Sequence, residues 1–405
     1  MFERFIARQP IFDRRLNVFG YELLFRSSAD NHFTGADHAT AHVIVDSTML
    51  LRLDTLIGAG RAFLNMTHDE LCSGSAFLLS SSKTILEIPG APAVSAETIL
   101  ACEHLQQAGY ALALDGFQDE PHWKALLPFA SFLKVDFRAT SSSQRQSIAR
   151  TLATRNVRVI ASRIETRQEF DQAYHAGYSF FQGFFFLQPE LIVTRDLPAA
   201  KVNCLRLLRE AAAPELRYGD IENILKQEPS LLYKLLRYLN SAAYGLAREV
   251  HSVPHAIALL GEKEFRRWVH VVAIVAAAHN EPTEVLRSAL VRAYFCERLS
   301  QLLEVQRSSS EFFLVGLLSV LDVLFARPLP EILAELPVSQ EIRSALLGGS
   351  NVLRDVFEAV LAYEVADWQK FQETADRARL RGGSVAEQYD AAVRQASALD
   401  AQVAG

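Results

Sequence analysis

The chain has 405 residues, of which 50% are hydrophobic and 22% charged, enough for two domains that each bury a core. Its formal net charge of -6 provides no global attraction for nucleic acid or for an anionic membrane, so nucleic acid is not an expected partner. Four scattered cysteines, Cys72, Cys102, Cys204 and Cys296, contain no C-x-x-C pair and indicate neither a disulfide framework nor a zinc cluster. The longest apolar run, VVAIVAAA at 271–278, is far short of the roughly 20 residues of a bilayer span. No basic-then-apolar leader opens the chain, and a cytoplasmic protein without membrane contact is the expectation.

From residue 60 to about 190, strand-like runs alternate with helical ones. RAFLNM (61–66), TILEI (84–88), ALALDGF (111–117), SFLKVD (131–136), VRVIAS (157–162) and SFFQGFFF (179–186) are nearly continuous in apolar character. That is how strands covered on both faces read. Between them lie helical stretches such as SAETILACEHLQQAGY, with Ser95 as cap, Ile99, Leu100 and Leu105 as apolar positions and Gly109 as stop. The alternation predicts a parallel sheet. One polar residue punctuates each strand near its C-terminal end: Asn65, Glu87, Asp115, Lys134, Ser162 and Gln182, with Glu22 in VFGYELLFR beginning the series. In a (β/α) barrel these ends converge on one face. Buried acids need partners or a cation, and Glu22, Asn65, Glu87 and Asp115 form an oxygen-only set suited to magnesium or manganese.

The order and spacing of these residues resemble those of the EAL domain, a barrel that hydrolyses the bacterial second messenger cyclic di-GMP. The likeness begins in IARQPIFDRRLNVFGYELLFR (6–26), with Glu22-Leu23-Leu24 at the Glu-Ala-Leu position, and runs through about the first 195 residues. It implies metal ligands at Glu22, Asn65, Glu87 and Asp115, and dinucleotide-binding roles for Arg26, Lys134, Glu165 and Gln182. Lys134 and Asp136 match the family's Lys-x-Asp, and Gln182-Gly183 its late Gln-Gly. The chain departs from the pattern where Gly116 replaces the acid for a second metal, where Gly90 replaces a second glutamate, and at Gln118. At the general-base position Ser162 and Arg163 replace Glu-Gly. Loss of a positioned base alone costs about 10²- to 10⁴-fold. These departures lead to the expectation of no enzyme: no catalytic residues, no required cofactor, and ligands left for one magnesium or manganese ion. Arg163 is then placed to supply as guanidinium the charge of the missing ion.

Beyond Pro198 the pattern changes to a period of 3.6. Asp220 is placed to cap IENILKQ, and Pro229 starts PSLLYKLLRYLNS. EKEFRRWVHVVAIVAAA reads as a helix at the centre of a bundle, with Arg266 and Arg267 on a solvated face beside Glu262 and Glu264. LRSALVRAYFCERLSQLL and SSEFFLVGLLSVLDVLF read as one helix each, and a peripheral helix follows Gly382-Gly383. LLRYLNSAAYG (235–245), HSVPHAIALLGEKEFRRWV (251–269) and FFLVGLLSVLD (312–322) resemble an HDOD domain, an HD-like helical bundle without metal-binding His-Asp pairs. His251, His255, His270 and His279 read as capping, packing or exposed residues rather than ligands.

The expected plan is therefore α/β then all-α: an EAL-type (β/α) barrel over 1–195, then an HDOD helical domain over 197–400. The leading functional expectation is a cyclic di-GMP-pathway protein without catalysis, acting through contact with other signalling proteins, with the HDOD domain as output module. The alternatives are a cyclic di-GMP receptor using the residual site and a weak phosphodiesterase. A homodimer through the barrel is what the resemblance implies.

Overall fold

In the computed structural model the described residues are 5–26, 53, 56–89, 94–117, 123, 125–152, 157–187, 199–227, 258–279, 281–304 and 308–404. The chain divides into two compact units. Met1–Gln188 with Ala362–Gln369 and Ser384–Ala386 form one, and Pro189–Leu361 with Lys370–Gly383 and Glu387–Gly405 form the other. No helix among the described residues is long and apolar enough to cross a membrane.

The first unit is built on eight strands: β1 (Phe5–Asp13), β2 (Val18–Arg26), β3 (Arg61–Asn65), β4 (Thr84–Pro89), β5 (Ala111–Asp115), β6 (Ala130–Asp136), β7 (Arg158–Ser162) and β8 (Phe180–Gln182). They close into a barrel in chain order. From β2 to β8 each strand pairs in parallel with the next. β1 departs from the expected parallel sheet, running antiparallel to both β2 and β8. Its link to β2 is too short for a crossover helix, so the two strands must form a hairpin. Asp13 Oδ1 closes that turn by accepting from the amides of Arg15 and Asn17 at 2.8 and 2.9 Å, with Leu16 left-handed at φ 59°.

Helices α1 (His68–Ser73), α2 (Ala96–Gln107), α3 (Ser142–Leu152) and α4 (Arg167–His175) lie between the strands. Ser95 caps α2 through Thr98 N, and Gly109 ends it at φ 86°. The buried face of α2 is Thr98, Cys102 and Leu105, whereas the apolar Leu100 is exposed. Leu100 lies two positions from both Thr98 and Cys102, on the other side of the helix.

From residue 199 the described chain is helical: α5 (Ala199–Ala212), α6 (Tyr218–Gln227), α7 (Glu262–Ala277), α8 (Thr283–Ser300), α9 (Ser309–Leu318), α10 (Leu321–Phe325), α11 (Leu329–Glu335), α12 (Gln340–Leu346), α13 (Val352–Glu364), α14 (Trp368–Ala378) and α15 (Val385–Ala404). Asp220 lies inside the first turn of α6 rather than at its cap, and the run expected as one helix from 309 is broken into α9 and α10. The segments around Pro229, 235–245, His251 and His255 lie outside the described residues.

α7 is the buried centre of this region, packing against α5. Of the charges at its start, Glu262 is exposed and pairs with Arg266 four residues on, as the charge pattern suggests, while the two arginines also reach inward. Arg266 donates to the carbonyls of Ala211, Ala213 and Pro214, satisfying the acceptors that α5 leaves open at its C-terminus. Arg267 forms a bidentate pair with Glu297 at 2.6 and 2.8 Å and lies 3.9 Å from the Phe313 ring centroid. On α9, Gly316 lets the backbones of α8 and α9 approach: a Cβ there would stand 2.5 Å from Ala293 N. Gly316→Ala is therefore expected to destabilise the protein by about 1–3 kcal/mol, measurable by denaturant unfolding.

His270 is buried in α7, with Nδ1 2.7 Å from the Arg266 carbonyl. Burial pushes its pKa down to about 4, so the folded state binds this proton less readily than the unfolded chain. Its stabilising contribution is complete above pH 6.5 and is lost as pH falls toward 4. Between pH 7.5 and 5 that loss is about 2 kcal/mol. His270→Leu should flatten the unfolding free energy over this interval by that amount.

Candidate functional site

The inside of the barrel is layered by the two-residue period of its strands. Ile11, Phe63, Ile85, Ala113, Phe132, Ile160 and Phe180, from seven different strands, form one buried apolar layer, with Phe19 of β2 against it. Two residues further along β3 to β8 stand Asn65, Glu87, Asp115, Lys134, Ser162 and Gln182. On β1, which runs the other way, the equivalent step is backward, to Gln9, and Gln9 pairs in register with Glu22 of β2. A polar ring therefore lies over a hydrophobic plug.

Lys134 is the hub of the ring. Its Nζ lies 2.8 Å from Glu87 Oε1, 3.0 Å from Glu22 Oε2 and 3.6 Å from Asp115 Oδ1. Glu22 also accepts from Asn65 Nδ2 at 2.9 Å and from Gln182 Nε2 at 2.5 Å, while the same Gln182 group reaches Gln9 Oε1 at 2.8 Å. Lys134, Glu22, Glu87 and Gln182 are buried, whereas the Asp115 side chain is 36% exposed and opens the ring to solvent. Directly after Gln182, Gly183 takes φ 147° where a Cβ would collide with the Ile164 carbonyl, so the close passage of these segments requires glycine.

Burial disfavours the charges on Glu22, Glu87 and Lys134, and their partners decide which survive. Burial would raise the Glu22 pKa, but the Lys134 charge and the hydrogen bonds from Gln182 and Asn65 outweigh it and hold Glu22 at about 2. Glu87 is pushed well above the carboxylate range by burial and then by the charge of Glu22, which Lys134 only partly offsets. Burial opposes the charge on Lys134, yet the carboxylates of Asp115, Glu22 and Glu87 raise its pKa.

Glu87 Oε2 and Gln182 Oε1 are buried acceptors that no hydrogen-bond donor reaches among the described residues. An orphaned carboxylate oxygen in an oxygen-rich ring fits a hard divalent cation. Among the described residues, however, no group of three acidic, histidine or cysteine side chains is arranged to hold a metal ion. The ammonium of Lys134 lies among the acids.

The remaining candidates stand apart from the ring. Glu165 pairs with Arg138 on the exposed rim. Arg163, expected to lend its charge to the site, has a left-handed backbone at φ 58°, is 71% exposed and pairs with Asp136 at 3.1 Å. It turns outward, so it does not replace an ion. Ser162 is buried at the end of β7. Gly116 has φ 70°, a backbone conformation that strains any side chain, although a Cβ there would meet nothing within 4 Å. Arg26 is the last residue of β2 but its side chain, like Gly90 and Gln118, lies outside the described residues. Gln9 is a ring member that the strand-end pattern misses, because its strand is reversed; its signal is its place two residues before Ile11.

Residues 197–366 match the family model described as HDOD domain. YuxH, an uncharacterised protein of Bacillus subtilis, is 31% identical over 383 residues, covering 92% of this chain and 93% of that one. Cyclic di-GMP phosphodiesterase CdgJ of Vibrio cholerae serotype O1 is 31% identical over 378 residues, covering 92% of this chain and 88% of that one. Among solved structures, the Bacillus subtilis YkuI protein, with an EAL domain and bound c-di-GMP and calcium, is 19% identical and covers 60% of this chain and 66% of its own at a TM-score of 0.39. The barrel here rests on its strand pairing and needs no support from that likeness. A closed barrel with a polar ring at its strand ends, continued by an HDOD domain, is the plan of the EAL-HDOD proteins of the cyclic di-GMP pathway. The chain belongs to that family.

This comparison corrects the expectation that the protein is no enzyme. A relative aligned over nearly the whole chain is named as a cyclic di-GMP phosphodiesterase.

Removing Lys134 would leave buried acids without their cation. Lys134→Met is expected to cost about 3–5 kcal/mol in the presence of chelator, with manganese restoring stability more in the variant than in the wild type. Thermal unfolding with EDTA and with manganese chloride measures both effects.

Proposed function

We propose that the barrel binds cyclic di-GMP over its polar ring and hydrolyses it, and that the helical domain passes the outcome to protein partners. The observation that carries this reading is the ring itself, in which acids, amides and one lysine from successive strands meet at a solvent-open face. The full-length likeness to a protein named as a cyclic di-GMP phosphodiesterase supports it.

Lys134 stands among the acids, so Glu22, Asn65, Glu87 and Asp115 would hold one magnesium or manganese ion by displacing its ammonium. Such an ion neutralises phosphodiester charge and activates water. The chain's own residues prepare the place. Gln182 and Asn65 fix the Glu22 carboxylate in one orientation and Lys134 keeps it ionised. The plug of Phe63, Phe132 and Phe180 closes the barrel beneath the ring, which strengthens each interaction above it. Asp115, on the open side, is the ring acid that meets ligand arriving from solvent. Ser162 offers no base near neutral pH, so slow turnover is expected.

Purified full-length protein incubated with cyclic di-GMP and manganese should yield linear dinucleotide, followed by chromatography. Glu22→Ala should lower the rate about 10²-fold or more. Absence of product at stoichiometric enzyme with either ion, or turnover indifferent to Glu22→Ala, would overturn the reading.

A further inference from the structure

Cys72 and Cys102 are 30 positions apart in sequence, yet the barrel brings them onto facing helices. α1 and α2 pack against each other. They follow the parallel strands β3 and β4 and so run in the same direction. Their register is fixed by His68 of α1, whose Nδ1 lies 3.4 Å from Thr98 Oγ1 of α2. One helical turn beyond His68 is Cys72, and one turn beyond Thr98 is Cys102. Residues four apart share a helix face, so the stripe that places His68 against Thr98 carries the two cysteines to the next level of the same interface.

Their surroundings differ in the manner of an attacking and a resolving thiol. Cys72 is exposed, near the end of a helix closed by Gly74, while Cys102 is fully buried. The pKa of Cys102 is pushed up to about 11, first by burial and then by the neighbouring Cys72. Cys102 is therefore a poor thiolate by itself and remains a reduced partner until Cys72 reacts.

We propose that Cys72 and Cys102 form a reversible disulfide that joins the two strand-helix units carrying Asn65 and Glu87 of the ring. With hydrogen peroxide as oxidant, the Cys72 thiolate attacks one peroxide oxygen and forms a sulfenic acid, and the departing hydroxide takes a proton to become water. The Cys102 sulfur then attacks the Cys72 sulfur. The S–S bond forms, the hydroxyl leaves, and the Cys102 proton goes with it as a second water. In sum, two thiols and one peroxide give one disulfide and two waters.

The test is to treat the full-length protein with a small excess of hydrogen peroxide, titrate free thiols after denaturation, and map non-reduced peptides by mass spectrometry. Free thiols should fall from four to two. A peptide linking Cys72 to Cys102 should appear, and dithiothreitol should reverse both changes. Oxidation should also raise the thermal midpoint of the barrel unit by roughly 5–10 °C. Cys72→Ser, at an exposed position, should keep the fold and lose the linked peptide, while Cys204 and Cys296, buried elsewhere, should stay reduced. Oxidation of Cys72 to sulfinic acid with the Cys102 thiol intact, or a disulfide between Cys72 residues of two copies, would overturn the proposal.

Discussion

The structure of the first unit depends on one ammonium group inside a barrel. Three carboxylates project toward the same small space over an apolar floor, and without a cation their mutual repulsion and the loss of hydration would oppose closing the strands. Lys134 resolves this by lying within 3.0 Å of two of them and 3.6 Å of the third. The charge is shared unequally. Glu22, with three donors, remains an anion, and Glu87, with no donor on Oε2 among the described residues, is pushed toward its neutral form by burial and by the charge of Glu22. One ring thus contains a fixed carboxylate and a carboxyl whose state depends on what cation is near.

This arrangement follows from the strand period and from closure. Because side chains alternate, a plug of one inward residue per strand places the next inward residues in a single ring above it. The plug of Ile11, Phe63, Ile85, Ala113, Phe132, Ile160 and Phe180 excludes water from below, and the ring inherits a low dielectric on that side. The reversed first strand belongs to the same plan. It closes the barrel against β8 and contributes Gln9, whose amide oxygen fixes Gln182, which in turn fixes Glu22.

Much of this was legible in the residues. A single polar side chain near the end of each apolar strand is a pattern that only convergence explains, and Glu22, Asn65, Glu87, Asp115, Lys134 and Gln182 do share the ring. Other features depended on geometry that periodicity does not carry. The turn at Asp13–Asn17 lacks glycine, so the hairpin that reverses β1, and with it Gln9, has no strong local mark. Arg163 has a left-handed backbone, a conformation its residue type does not announce, and its exposed side chain pairs with Asp136. Arg266 looked like a surface charge and instead closes the end of α5, a partner 52 to 55 residues earlier in the chain.

The positions that suggested lost catalysis have a second physical meaning. Gly116 and Ser162 are, among the described residues, places at the strand ends where the family pattern would add an acid. A carboxylate in place of Ser162, which is on the ring's own period, would join Glu22, Glu87 and Asp115 around a single lysine, and the cost of that excess negative charge would fall on folding whenever no divalent ion was bound. A ring with glycine and serine there can be neutralised largely by its own Lys134. The exchange lowers the demand for ions during folding, while the deepest part of the site, the cage of Asn65, Gln182 and Lys134 around Glu22, is left whole. Glycine and serine at these two positions satisfy a constraint of charge balance.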